Sequence, residues 1–242
     1  MKKLITLTVI LLVTTVSSAQ FWGSKKIQGN GNQVTDNRDL GDYDEINVAG
    51  SFDIFLVSGK EGKLKVEAEN NLLEYIITEV KGDKLKIYTR EGYNLNTSRN
   101  KSITITIPFE DISKVSMAGS GDIIGKDAIE ADVFSCSVAG SGDMVLDIKA
   151  KEINGSLAGS GDLTLTGKTQ KVSLKVAGSG DIDASDLNSV DAEASVAGSG
   201  DISLNCDGGN LKASVAGSGD IQYSGKPNDI NKKVVGSGSI RN

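Results

Sequence analysis

The sequence predicts an all-β fold, a parallel β-helix-like solenoid with coils of about 19 to 21 residues, on two observations. One pentapeptide, Ala-Gly-Ser-Gly-Asp, recurs at nearly constant spacing, and apolar residues alternate with polar ones on both sides of it. Repetition at a fixed period indicates coils that bury their apolar faces against their neighbours. The six intact copies begin at Ala118, Ala139, Ala158, Ala177, Ala197 and Ala216.

The residues around each copy indicate strands. Val172, Leu174 and Val176 precede one copy, and Ile202 and Leu204 follow another, so apolar side chains fall at every second position. This alternation is typical of a strand with one buried face. One coil is therefore predicted to be a strand, a glycine-lined bend, a second strand and a return turn. A propeller blade needs about 40 residues, and a sandwich has no reason to repeat one pentapeptide, so the solenoid is favoured.

The position of the glycines in this alternation predicts their role. Both glycines of each motif fall on the inward, apolar phase, whereas its Ala, Ser and Asp fall on the outward phase. An inward glycine indicates a bend, or a close approach of backbone that leaves no room for a side chain.

The two ends of the regular region, residues 113–242, are predicted to differ from it. Residues 40–112 are expected to be less regular β-structure that belongs to the same domain and caps the coils, with a degenerate first coil at residues 46–56 and a helical turn at residues 71–76. At the other end an altered copy begins at Val235. Pro227, Lys232 and Lys233 would discourage the addition of a further strand there.

Residues 1–19 are predicted to be a secretory signal peptide. Two lysines precede an apolar run that ends at Val16, and Ser17-Ser18-Ala19 offers small residues for cleavage before Gln20. The run is shorter than the ~20 residues of a membrane-spanning helix, and no later segment is apolar enough to span. The mature chain is expected in the periplasm, the outer cell envelope or the extracellular space. Residues 20–39 are polar and are predicted to be a flexible leader.

Composition argues against several classes of function. The 242 residues include 32 acidic and 26 basic ones, and removal of Lys2 and Lys3 with the signal peptide leaves a net charge of about −8. That sign argues against binding nucleic acid. The chain has no histidine, the commonest general base and metal ligand. Its repeated carboxylates are copies of one another, whereas a catalytic acid and base need different environments. We predict that the protein is not an enzyme and holds no cofactor.

The two cysteines test the predicted register. Cys136 and Cys206 both lie on the inward phase, three rungs apart. Three rungs correspond to about 14 Å at the spacing of neighbouring strands, and a disulfide needs Cα atoms within roughly 7 Å. We therefore predict two free, buried thiols.

The outward phase of the motif predicts a ladder of hydroxyl and carboxylate side chains. The structural interpretation is that each Asp or Ser bonds backbone N–H groups at the bend. The functional interpretation is that a cation or a glycan binds along the ladder, although the calcium β-roll pattern has a different spacing and period. The structural interpretation is favoured. The ladder residues are Ser120, Asp122, Ser141, Asp143, Ser160, Asp162, Ser179, Asp181, Ser199, Asp201, Ser218 and Asp220.

The run from Gly41 to Ile54, Gly-Asp-Tyr-Asp-Glu-Ile-Asn-Val-Ala-Gly-Ser-Phe-Asp-Ile, followed by the serial Ala-Gly-Ser-Gly-Asp repeats, resembles the head GIN domain family. These exported bacterial proteins contain a domain of unknown function and are labelled putative auto-transporter adhesins. The resemblance covers roughly residues 40 to 240. It implies a right-handed β-helix-like fold and an adhesive role, and it supplies no catalytic residues.

Two non-catalytic functions and one catalytic function are compatible with these observations. An adhesion module would bind a glycan or another cell-surface component on the flat faces of the solenoid. A structural protein of the envelope would assemble end to end through its open rungs, and a polysaccharide-active enzyme is the least favoured. The sequence leaves the ligand and the oligomeric state open.

Overall fold

The computed structural model of the protein describes residues 24–242, so the predicted signal peptide at residues 1–19 lies outside it. The described chain is a β-solenoid of about seven turns with coils of about 19 residues and an irregular N-terminal part. Its one helical segment is a short 3-10 helix at Leu73–Tyr75, where a helical turn was predicted. No helix in residues 24–242 is long and apolar enough to cross a membrane.

The strands of the N-terminal part precede those of the regular coils. In chain order, they are β1 Lys25–Gln28, β2 Gln33–Asp39, β3 Glu45–Gly50, β4 Asp53–Ser58, β5 Lys63–Glu69, β6 Ile76–Lys81, β7 Lys84–Thr89, β8 Tyr93–Asn96 and β9 Thr104–Phe109. The later strands are β10 Lys114–Gly119, β11 Ile123–Gly125, β12 Ile129–Gly140, β13 Met144–Gly159, β14 Leu163–Gly178, β15 Ile182–Ala184, β16 Leu187–Gly198, β17 Ile202–Asn205, β18 Asn210–Gly217, β19 Ile221–Ser224, β20 Asp229–Gly236 and β21 Ile240–Arg241.

The coils stack in parallel, with each motif directly above the preceding one. In β10 and β12, for example, Ala118 pairs with Ala139. The degenerate copy forms the first coil, as predicted, because Ala49 of β3 pairs with Ala118. In β13 and β14 the predicted return turn is only a kink within one long strand, where Lys151 of β13 and Gln170 of β14 drop out of the pairing.

The interior of the stack is filled by the inward side chains of both strands of each coil before the last one. The kink shifts the inward–outward alternation of side chains by one residue. Ile148 before it and Ile153 after it are therefore both fully buried, although they are an odd number of positions apart. Cys136 and Cys206 belong to this core and are free, as predicted. Burial raises the pKa of the Cys136 thiol to about 12, so this thiol stays protonated and unreactive at neutral pH.

Residues 59–112 form a cap on the first coil. Strand β7 pairs in parallel with β3, and β9 pairs in parallel with β4, so together they continue the stack beneath that coil. Antiparallel strands then cover this layer: β6 on β7, β5 on β9 and β2 on β5. The prediction of a less regular N-terminal part is confirmed, and the antiparallel strands end the regular stacking on this side.

The prediction of a flexible leader over residues 20–39 is wrong for residues 25–39. Strand β1 pairs with β8, and β2 pairs with β5 along its whole length. The side chain of Arg38 explains the order of this polar strand, because its guanidinium pairs with Asp36 at 2.8 Å and donates to the carbonyl oxygens of Ile76 at 2.6 Å and Leu73 at 3.0 Å. The polar composition of this segment did not indicate a strand, because strand β2 is held by hydrogen bonds to the cap.

Candidate functional site

The bend is shaped by the backbone of the coil below it. Gly159, the first glycine of its motif, has φ +139°, and an added Cβ would lie 2.0 Å from the carbonyl oxygen of Gly140. An added Cβ on Gly161, the second glycine, would lie 2.0 Å from the carbonyl oxygen of Gly142. Alternation alone placed both glycines inward, whereas the first is only half-buried. The constraint on both comes from the neighbouring coil, so each glycine allows the coils to stack closely.

The aspartates of the motif form a continuous ladder of hydrogen bonds along the outside of the bend. One carboxylate oxygen of each Asp accepts the backbone N–H of the Asp one coil further on; the Asp143–Asp162 and Asp162–Asp181 bonds are 2.9 and 3.1 Å long. The same contact joins Asp122 to Asp143, and joins Asp181, Asp201 and Asp220 in turn. These bonds cross-link successive coils.

The serines of the motif contribute to stacking through their backbone. The N–H of Ser160, for example, donates to the carbonyl oxygen of Gly140 at 2.8 Å, while the residue itself is exposed. The other motif serines are likewise exposed: Ser120, Ser141, Ser179, Ser199 and Ser218. The structure therefore places the predicted serines and aspartates together on the outside of one bend.

The ladder changes chemistry in the last coil. There Ser239 stands where the other coils have Asp, and both its backbone N–H and its hydroxyl donate to Asp220, at 2.7 and 2.9 Å. Arg241 pairs with the other oxygen of Asp220 at 3.2 Å. The hydrogen bonds from Ser239 and the charge of Arg241 lower the pKa of Asp220. Across residues 24–242, no three His, Cys, Asp or Glu side chains lie together as a metal-binding group.

A second surface, which the sequence reasoning did not single out, lies on the strands that lead into the motif. Its outward residues form two columns, of small side chains except for Lys175, which we call the serine–alanine face. One column contains Ser116, Ser137, Ser156, Lys175, Ser195 and Ser214, and the other contains Ala49, Ala118, Ala139, Ala158, Ala177, Ala197 and Ala216. The sequence does contain a pattern that indicates this face, because the repeat is longer than the pentapeptide and usually reads Ser-apolar-Ala-Gly-Ser-Gly-Asp.

The serine–alanine face meets the cap at a groove of about 360 Å³. Strand β7 extends the face by one row, in which Tyr88 stands next to Ala49 and Lys86 next to Asn47. The floor of the groove consists of the small residues of the first coils, and its wall includes the ring of Tyr88. The groove is thus the place where the cap adds larger side chains to the face.

Parallel coils, a filled interior and flat outer faces define the class of the protein as a β-solenoid repeat protein. The chain belongs to the family described as putative auto-transporter adhesin, head GIN domain, whose family model matches residues 42–227. No curated protein matches the sequence.

Two crystal structures of similar proteins support the assignment. A putative adhesin from Bacteroides fragilis is 25% identical, with a TM-score of 0.81 over 89% of this chain and 99% of that one. A putative lipid binding protein from Parabacteroides distasonis is 32% identical, with a TM-score of 0.74 over 90% of this chain and 99% of that one. The family and these neighbours fit an adhesin-like module, since their names describe binding rather than catalysis.

Proposed function

We propose that the protein is an exported, non-catalytic adhesion module of the cell envelope, which binds a glycan or another cell-surface component through the serine–alanine face. The observation that carries the proposal is the face itself. It presents hydroxyl and methyl groups over successive coils at a strand spacing of ~4.8 Å, with Lys175 in place of a serine in one coil. A long flat surface of this kind suits an extended ligand with its own repeat better than a compact one.

Export is supported by the charged and apolar pattern of residues 1–19. Adhesion is supported by the family description and by the name of the neighbour from B. fragilis. The aspartate ladder is assigned a structural role in this proposal, because a carboxylate oxygen of each Asp already accepts a backbone N–H from the next coil. The proposal contains no catalytic residue, cofactor or metal.

The proposal is tested by measuring the binding of residues 20–242 to an array of host and bacterial glycans. We expect selective binding that Ser137→Arg abolishes, because its long charged side chain would stand on the serine–alanine face. Thr164→Arg is the matched control, since Thr164 lies on the strand that follows the motif, in register with Val145. No binding to glycans or to isolated cell-envelope fractions would refute the proposal, and equal loss in both variants would refute the role of the face.

A further inference from the structure

We propose that the groove between the cap and the serine–alanine face binds a saccharide that carries carboxylate groups. The inference rests on the proposed function and narrows it to one site and one class of ligand. The groove is the one place on this face where the insertion of residues 59–112 adds an aromatic ring and a lysine to the small residues of the coils. This departure distinguishes one position along the face, whereas identical coils offer identical contacts.

An aromatic side chain forms part of the wall of the groove. Tyr88 lines the groove, and its hydroxyl donates to Glu79 Oε1 at 3.0 Å. The same oxygen of Glu79 accepts a hydrogen bond from Lys81 at 2.7 Å. The ring is therefore held in place before any ligand arrives, which lowers the entropy lost on binding. A fixed aromatic face is suited to the C–H face of a sugar ring, since both surfaces are apolar and flat.

Small side chains form the floor of the groove. Ala49, Ala118 and Ala139 supply methyl groups, and Ser116 and Ser137 supply hydroxyls that can donate or accept. Small side chains let a ring approach the sheet closely, and the hydroxyls repeat at the ~4.8 Å spacing of strands. The floor thus offers both the apolar and the hydrogen-bonding contacts that one face of a sugar chain requires.

A positive charge lies on the lining of the groove. Among the described residues, Lys86 is the one charged residue that lines it. It pairs in the sheet with Glu79, but the nearest ion pair of that carboxylate is with Lys81 at 2.7 Å. On the adjoining row, Glu45 lies between Lys84 at 2.7 Å and Lys114 at 3.8 Å. Asp44 and Asp83 also lie near Lys84, so an anionic ligand is favoured by Lys86 itself, the positive charge on the lining of the groove, and not by a net positive surface around it.

The test compares acidic saccharides, which contain uronic or sialic acids, with neutral saccharides of the same length, by array and then by calorimetry. We expect the acidic saccharides to bind more tightly and to lose affinity as salt is raised. Lys86→Gln is expected to weaken binding by about fivefold, the effect of one solvent-exposed ion pair of about 1 kcal/mol. Tyr88→Leu is expected to weaken it further, and Tyr88→Phe to preserve most of it.

A matched pair of alanine variants tests the location. Ala118→Leu fills the floor of the groove and is expected to reduce affinity at least tenfold. Ala177→Leu makes the same change in the same exposed column, three coils away, and is expected to leave affinity unchanged. Both chains should show the thermal unfolding of the parent. Equal affinity for neutral and acidic saccharides, equal effects of the two leucines, or no saccharide binding while cell-envelope fractions still bind would overturn this inference alone. No binding to saccharides or to cell-envelope fractions would also overturn the proposed function.

Discussion

The two ends of the solenoid are closed in different ways. At the N-terminal end, a layer formed by β7 and β9 lies under the first coil, and antiparallel strands cover that layer. At the other end, β20 pairs with β18 alone among the described strands, and every residue of β20 is exposed. One end is covered by a folded insertion, and the other is protected by the side chains of a single coil. Stability should therefore depend on position along the stack.

The largest expected effect compares the middle of the stack with its last coil. In Gly161→Ala, the new Cβ would lie 2.0 Å from the carbonyl oxygen of Gly142, and in Gly238→Ala 1.9 Å from that of Gly219. The clashes are alike, but Gly161 is held by coils on both sides. We expect Gly161→Ala to reduce the free energy of unfolding by about 3 kcal/mol, and Gly238→Ala by about 1 kcal/mol, because the last coil can shift.

Urea unfolding followed by circular dichroism measures both values. Ser160→Ala is the control for the central site, because Ser160 is exposed, and it should change the free energy of unfolding by less than about 0.5 kcal/mol. Equal losses for the two glycine variants would show that the last coil is held as firmly as the middle of the stack, and would contradict the comparison of the ends.

The second effect concerns the cap, where the buried carboxylate of Glu69 joins two loops. It accepts hydrogen bonds from the backbone N–H and the hydroxyl of Ser98, at 2.8 and 2.6 Å, and from the N–H of Gly31. Burial raises the pKa of Glu69, but these hydrogen bonds together outweigh it and hold the pKa below its ordinary value. We expect Glu69→Gln to reduce the free energy of unfolding by about 2 kcal/mol at pH 7.

The lowered pKa gives this effect a pH dependence. Because the folded pKa lies below the unfolded one, the stabilisation is complete above the unfolded value, near 4.5, and is lost as the pH falls through the folded value. The difference in stability between the parent and Glu69→Gln should therefore narrow as the pH falls below the ordinary pKa of 4.5. Glu74→Gln, at an exposed position in the cap, is the control. A gap that is independent of pH would contradict the assignment.

The regular coils could be predicted from the sequence because their information is local and repeated. Alternation gave the inward residues, and the free thiols followed from the spacing of Cys136 and Cys206. The arrangement of the strands in the cap could not be derived in this way, because it depends on tertiary contacts such as the hydrogen bonds of Arg38. The groove was missed for the same reason. Tyr88 lies beside Ala49 only through the parallel pairing of β7 with β3, and nothing local in the chain encodes that pairing.

The third effect concerns the aspartate ladder in the middle of the stack. Asp162→Ala would leave the N–H of Asp181 without its 3.1 Å acceptor, and we expect a loss of about 1 kcal/mol in the free energy of unfolding. Asp162→Asn keeps an acceptor oxygen and should lose less. If the ladder is structural, 5 mM calcium should not raise the unfolding temperature of the parent. A rise that Asp162→Asn removes would instead show that the ladder binds the cation.

At the exposed last coil we expect the smallest effect on stability and the largest effect on self-association. Lys232 occupies an inward position, in register with the buried Ala213, and its ammonium lies 4.5 Å from the centroid of the Tyr223 ring. Its neighbours at the same end, Ile230 and Val234, are 41% and 42% exposed. An inward charge on an edge strand opposes pairing with another strand, so Lys232 keeps this apolar end from adding a second copy.

Lys232→Val should change the free energy of unfolding by less than about 0.5 kcal/mol, because the loss of an exposed cation–π contact is offset by an apolar side chain over the core. Its molar mass by light scattering should nevertheless rise with concentration, while the parent stays constant. Lys233→Val is the matched control, since Lys233 is in register with the outward Ser214. If the control associates as strongly, the total charge of the last coil governs association; if the parent itself associates, the end is an assembly surface and Lys232 does not protect it.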